Sequence, residues 1–196
     1  MECLFGIKGK DFVLLAADTM ASRSIVVMKA NEIKHKELSA HCGLVYSGEP
    51  GDAPVLAEYL QANITLYSLR NDGLELSPGA CAAFSRRTLA DSLRSRAPYN
   101  VNILVGGVDQ LEGEGHLFWI DYLGTCVPVP FACHGYAGYF CLGLLDRYYS
   151  PELTKEEAID LLRKCINELK VRFVGNIPAF SVRIYSASNP TESFIL

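Results

Sequence analysis

Twice along the chain, a run of strand-like residues gives way to a pair of amphipathic helices, and this order limits the possible folds more than any other feature. Cys3 to Lys8 and Phe12 to Ala17 read as strands joined by the turn Gly9-Lys10-Asp11. Ile25 to Lys29 and Leu44 to Ser47 predict further short strands, and the turn formers Gly48-Glu49-Pro50-Gly51-Asp52 close that run. The period then changes. Leu56, Tyr59, Leu60, Ile64 and Tyr67 share one helical face, which predicts a helix from about Asp52 to Leu69, ending near Asn71-Asp72-Gly73. Ser77 as N-cap, with Pro78 in the first helical position, opens a second helix that runs to about Arg96. Arg86, Arg87, Arg94 and Arg96 fall on its polar side.

Strands return at Val101 to Val108, at His116 to Asp121 and near Cys126 to Phe131. A helix is expected from about Tyr136 to Tyr149. The capping box Thr154-Lys155-Glu156-Glu157 starts the next, whose Ala158, Leu161, Leu162, Cys165 and Leu169 form one stripe. A last strand, Phe180 to Tyr185, precedes a short tail. Parallel βαβ units would alternate single strands with single helices. Strand runs separated by helix pairs instead predict an α+β fold, with two antiparallel sheets and a helix pair on each outer face. No linker, repeat or low-complexity segment interrupts the order, so residues 1–196 are expected to form a single domain.

A hydrophobic content of 49% with 20% charged residues supports a real core and argues against disorder. The net charge of -4 and pI near 5.6 give no reason to expect nucleic acid or an anionic membrane as partner. No apolar run has the length of a membrane span, and no basic-then-apolar leader opens the chain. A cytosolic or nuclear location is therefore expected. The cysteines Cys3, Cys42, Cys81, Cys126, Cys133, Cys141 and Cys165 are odd in number and lack a C-x-x-C pair, so reduced, mostly buried thiols are expected. The pattern Asn63-Ile64-Thr65 falls inside a helical stretch and is discounted as a glycosylation site. No phosphate-binding glycine loop, H-E-x-x-H or G-x-S-x-G is present. His35, His41, His116 and His134 show no metal-ligand spacing, so neither a metal nor a cofactor is expected. The glycines of His134-Gly135-Tyr136-Ala137-Gly138 read as a tight turn into a helix rather than an anion cradle.

Several stretches carry a resemblance to a known family. They are "FGIKGKDFVLLAAD", "SGEPGDAPVLAEYLQANITLYSLRN", "LADSLRSRAPYNVNILVGGVD", "IDYLGT", "ACHGYAGYF", "LLDRYYSPELTKEEAIDLLRKCINELKVRF" and "PAFSVRI". In this order they resemble the β subunits of the proteasome core particle, most closely the eukaryotic β type-2 branch at the fourth β-ring position. The resemblance covers nearly all of the chain except the last ten or so residues. It implies the four-layer αββα sandwich of the N-terminal nucleophile hydrolases. In catalytic members, removal of a propeptide exposes a threonine at the start of the first strand. Its hydroxyl attacks the peptide carbonyl, while its amino group and a lysine manage the proton. Here Glu2 stands at that position behind Met1 alone, so no propeptide is expected. Asp18 matches the family aspartate, and Lys34, sixteen residues on, matches the lysine. Tyr136 replaces the serine after the glycine turn. Arg172-Phe173-Val174-Gly175-Asn176 lacks the late aspartate and serine. No catalytic residue is therefore assigned.

Without the family, Asp18 reads as a strand-end turn residue and Lys34 as part of the charged loop "NEIKHKE". Their pairing would then be structural, and an exposed pair adds little stability. Cys3 is the alternative nucleophile. It would need the loss of both Met1 and Glu2, and it is one step out of register, so it faces the other side of the sheet.

The resemblance implies a non-catalytic structural subunit of the β ring, supporting ATP- and ubiquitin-dependent degradation carried out by threonine-protease neighbours in cytoplasm and nucleus. The implied partners are β subunits of the same and the opposing ring, α-ring subunits and assembly chaperones. The helices between Asp52 and Arg96 would face the α ring, and those between Tyr136 and Lys170 the opposing β ring. Arg94 and Arg96 would join salt bridges between subunits. Two other readings stay open: an independent hydrolase that loses Met1-Glu2, and an adaptor that leaves the finished particle.

Overall fold

In the computed structural model, which describes residues 2–24, 26–187 and 191–196, the first two strands meet at a tight turn. β1 (Cys3–Lys8) and β2 (Phe12–Asp18) pair antiparallel, and Gly9 N–H donates to Phe12 O at 2.9 Å to close the turn. The short hairpin β3 (Ala21–Arg23) and β4 (Val26–Lys29) follows, then β5 (His35–Ser39) and β6 (Cys42–Gly48). Helices α1 (Ala53–Arg70) and α2 (Pro78–Ser92) lead to β7 (Val101–Val108), β8 (Gly115–Ile120), β9 (Cys126–Pro128) and β10 (Phe131–Gly135). Helices α3 (Ala137–Tyr148) and α4 (Lys155–Arg172) precede β11 (Phe180–Ser186) and β12 (Glu192–Ile195).

Two five-stranded antiparallel sheets result. One runs β10-β1-β2-β11-β12 and the other β5-β6-β7-β8-β9. The alternation of side chains along β1 and β2 shows how they stack. Cys3, Phe5 and Ile7, with Phe12, Leu14 and Ala16, pack under α3 and α4. Leu4, Val13, Leu15 and Ala17 point the other way, to Val45, Leu104, Leu117 and Tyr185 between the sheets. The outer face of the second sheet packs on α1 and α2 through Leu44, Leu56, Leu60, Leu89, Ile103 and Val105. The layers are thus helices, sheet, sheet, helices: the four-layer αββα sandwich of the N-terminal nucleophile hydrolase type. A strand covered on both faces can be apolar throughout, which is why "FVLLAA" reads as a continuous run. Gly6 and Gly106 are two of the places where the sheets approach closely. A Cβ on Gly6 would lie 2.8 Å from Leu117 Cδ1, and one on Gly106 would lie 2.7 Å from Val13 Cγ1.

The helix caps follow the sequence closely. Thr154 Oγ1 accepts from Glu157 N–H at 3.3 Å while Glu157 Oε2 accepts from Thr154 N–H at 2.9 Å. Ser77 Oγ accepts from Ala80 N–H. Asn63 lies within α1, as expected. Other expectations need correction. α2 stops at Ser92 rather than at about Arg96, because Ser92 Oγ turns back to Leu89 O and the chain heads toward Pro98. The strand expected over Cys126 to Phe131 is two strands in different sheets. Pro128 and Pro130 lack the N–H groups that a continuous ladder needs, and the chain crosses between the sheets there. β3, β5 and β12 have no counterpart among the expected strands, and β10 overlaps them only at Phe131. β5 is polar and bulged, and β12 sits in the tail, pairing β11 at an edge. β4 begins at Val26, with its expected first residue, Ile25, outside the described residues, as are Ser188, Asn189 and Pro190 of the tail.

All seven cysteines are reduced, with Cys126 half-buried and the rest buried. Three histidines bridge the two sheets. His134 in β10 stacks on Trp119 in β8 at 4.9 Å, with its Nε2 3.3 Å from Ile103 O. His35 Nε2 lies 3.0 Å from Ser181 O, and His41 Nδ1 lies 3.1 Å from Ser186 O. His116 instead meets Glu112 on the surface at 3.1 Å. Burial holds His35 and His134 neutral, each lowered to about 4. In the unfolded chain these rings protonate near the ordinary value of about 6.5. Between those values the unfolded chain binds more protons, so stability falls as pH drops from about 6.5 to about 4, and this contribution levels off below. Each ring contributes at most about 1.4 kcal/mol per pH unit within the window. Urea unfolding at several pH values, followed by the fluorescence of Trp119, will show this slope, and His134→Phe will remove about half of its histidine part.

Candidate functional site

Where β1 begins and β2 ends, the two strands offer a backbone N–H and a carboxylate to each other. Asp18 Oδ1 accepts from Cys3 N–H at 2.8 Å, and Oδ2 accepts from Met20 N–H at 3.2 Å. Lys34, immediately ahead of β5, donates from Nζ to the same Oδ2 at 2.8 Å and to Met20 O at 2.9 Å. Asp18 is 0% exposed and Lys34 4%. Lys34 is therefore not part of an exposed loop, and the pair is not the weak surface contact expected for it. Two charges out of water are tolerated only when they are paired and hydrogen-bonded, and both conditions hold here. Its neighbour Ile33 is 61% exposed. A strand-entry segment that buries its lysine and exposes its isoleucine inverts the usual order, and that inversion is the mark of a constructed site.

Glu2 closes the constellation. Its Oε2 accepts from Gly48 N–H at 2.8 Å, at the end of β6, and its Oε1 lies 3.4 Å from Lys34 Nζ. Its backbone carbonyl accepts from Tyr136 N–H at 3.1 Å. That last contact depends on Gly135, whose φ is +68° and where any Cβ would run into Glu2 O. The glycine-rich segment before α3 thus does serve a tight turn, and the turn holds the start of β1.

These residues stand at the head of a cleft of about 830 Å³, bounded by Glu2, Met20, Lys34, Tyr46, Gly48 and Tyr136. Tyr136 sits at the rim, its ring 4.7 Å from that of Phe173. Phe173 also packs on Phe140. Where the resemblance called for a late aspartate, an aromatic stack stands instead. Cys3 turns away from the cleft, in the core beneath α3 and α4. Burial first, then the adjacent Asp18 carboxylate, push its thiol up to about 12. A thiol that resists ionisation is a poor nucleophile. Among the described residues, no group of three or more His, Cys, Asp or Glu side chains could hold a metal ion, and no helix is long and apolar enough to cross a membrane.

Comparison with known proteins agrees with this geometry. Residues 2–184 match the family model "Proteasome subunit". The chain is 47% identical over 184 residues to the probable proteasome subunit beta type-4 of Schizosaccharomyces pombe, covering 94% of each chain. It is 45% identical over 184 residues to the proteasome subunit beta type-4 of Saccharomyces cerevisiae, covering 94% of this chain and 92% of that one. It is 43% identical over 192 residues to the proteasome subunit beta type-2-B of Arabidopsis thaliana, covering 98% and 95%.

The buried pair makes a sharp prediction. Lys34→Met strands the Asp18 carboxylate without its cation and is expected to cost about 3–5 kcal/mol. Asp18→Asn added to Lys34→Met is expected to recover part of that loss: it removes the stranded charge, but its single amide oxygen can accept only one of the Cys3 and Met20 N–H bonds. Urea midpoints of the two variants and the parent protein measure both effects.

Proposed function

Because this chain belongs to the proteasome subunit family, as a β-type subunit, we propose that it is a non-catalytic member that builds the β ring of the core particle. Glu2 carries this reading. It stands at the strand start where the family resemblance places a nucleophilic threonine, and its carboxylate is engaged by Gly48 N–H and faces Lys34. A carboxylate there cannot take over the hydroxyl chemistry, because it is a weak nucleophile toward an amide and its acyl product would be an anhydride, far less stable than the peptide bond attacked. The next residue offers no substitute, since the Cys3 thiol is buried in the core. Asp18 and Lys34 then act as scaffold, pinning the start of β1 to the end of β2.

In this reading, peptide bonds are cut by neighbouring threonine-protease subunits, and the chain contributes a wall of the proteolytic chamber in ATP- and ubiquitin-dependent degradation. Its partners are β subunits of its own and the opposing ring, α-ring subunits and assembly chaperones, in cytoplasm and nucleus. The exposed apolar residues support extensive subunit contacts. Val55, Tyr59, Leu66 and Leu69 lie on α1, and Tyr139, Leu142, Tyr148 and Val171 lie on α3 and α4. Faces of this kind suit the large apolar interfaces of obligate assemblies. We assign the α1 and α2 side to the α ring and the α3 and α4 side to the opposing β ring.

Particles of proteasome size, purified and denatured, should release this chain in fixed proportion to the other subunits, with an intact mass that includes Glu2. Cys3→Ala in such particles should leave peptide hydrolysis unchanged. A mass starting at Cys3, or loss of an activity in well-assembled Cys3→Ala particles, would overturn the reading. So would absence of the chain from the particles.

A further inference from the structure

The two sheets have four outer strands between them, and three of these are guarded against a further strand. β9 is three residues long and carries Pro128. β5 is bulged, and Gln61 of α1 donates from Nε2 to its Glu37 O at 2.8 Å. β10 is buried over Ala132, Cys133 and His134, and Cys133 O accepts from Trp119 Nε1 at 3.3 Å. Proline, a bulge and a covering element are the usual guards of a sheet edge. β12 has none of them. Its register with β11 runs without a shift, it holds neither lysine nor proline, and Ile195 is 70% exposed. Phe180 and Leu196 exchange both N–H···O bonds at 2.9 Å, so the bonded pairs of this ladder are Phe180 with Leu196, Val182 with Phe194 and Ile184 with Glu192. The N–H and C=O groups of Ser193 and Ile195 therefore point away from β11, to the open side of the sheet. Among the described residues no strand lies beyond them.

We propose that the open edge of β12 is a strand-addition site, and that an extended segment of a neighbouring subunit fills it in the assembled particle. The inference rests on membership of the β ring. Main-chain groups do the binding. Ser193 and Ile195 lie about 6.8 Å apart along the strand, so one short extended segment can bond to all four groups. Phe194 and Leu196 pack against the core under α3 and α4, which puts Ser193 and Ile195 on the opposite face. The incoming residue across from Ile195 shares that face, and an apolar β-branched or aromatic side chain there covers it. The charges beside the edge are already matched, because Glu192 holds Lys155 at 3.0 Å and Arg183 holds Glu37 at 2.9 Å. A neutral segment therefore suits the edge, whereas a charged residue set against Ile195 would lose water without gaining a counter-ion.

The test begins with the structure of the particle, by electron microscopy or diffraction. An extended segment of another subunit is expected about 4.8 Å from β12, bonded to Ser193 and Ile195. A particle that contains this chain with β12 facing solvent, or with only side chains or a helix against it, overturns the proposal and leaves ring membership standing. Particles that lack the chain overturn ring membership and the proposal with it. Ile195→Pro then tests what the edge contributes. It removes an outward N–H and places a ring on the open side, yet keeps every bond between β11 and β12. Co-expressed with the parent chain, Ile195→Pro is expected to enter particles about threefold less or worse, while its urea midpoint as a free chain stays at the parent value. Equal entry of the two chains overturns the proposal. If Ile195→Pro destabilises the free chain, the structure of the parent particle decides alone.

Discussion

The ion pair between Asp18 and Lys34 is the contact on which the geometry of this end of the molecule rests. Asp18 ends a strand of one sheet, and Lys34 leads into a strand of the other. Their 2.8 Å contact therefore joins the two halves of the sandwich at one corner. The carboxylate also receives Cys3 N–H and Met20 N–H, so it fixes where β1 starts and how the chain leaves β2. Such a pair earns little net stability over an apolar replacement, but it tolerates very few arrangements. Position is what it provides, and the start of β1 is the position that matters in this fold.

Around that corner stand a carboxylate, a cluster of aromatic rings and a buried thiol. Glu2 converts the strand start into an acceptor for Gly48 N–H. The rings of Tyr136, Phe173 and Phe140 fill the flank with apolar surface. Cys3, adjacent in sequence, is separated from the cleft by the pleat of a single strand, and burial keeps its thiol protonated. Each of these features comes from side chains that the fold gathers around the start of β1.

Much of the architecture could be read directly from local chemistry. The Thr154–Glu157 box, the Ser77-Pro78 start and the continuous apolar run of β2 each state their structure through short-range rules, and so survive without tertiary information. What stayed hidden needed distant partners. β5 and β12 are edge strands whose ladders supply the order their side chains lack, and β10 exists because β1 pairs with it. The site divides in the same way. Glu2, Asp18 and Lys34 were legible as a set only through family resemblance, because their spacing along the chain carries no local signal. The burial of Lys34 was illegible in a segment of mostly charged residues. The Gly48 donor went unnoticed because backbone N–H groups have no sequence letter of their own.

The crossing at Pro128 and Pro130 has a further consequence, for the order in which the protein can form as it leaves the ribosome. One sheet draws its strands from an unbroken stretch, His35 to Pro128, together with the helices that cover it. The other takes β1 and β2 from the start of the chain, β10 from beyond the prolines, and β11 and β12 from the far end. The first half-sandwich can condense once Pro128 has emerged, whereas β2 lacks its second neighbour until β11 follows. Until then an apolar hairpin waits with one edge bare, the most association-prone state in the life of the chain. Its exposure ends only when β11 pairs with β2, so the interval between the synthesis of β2 and that of β11 decides whether the nascent chain shelters its own edge or finds another's.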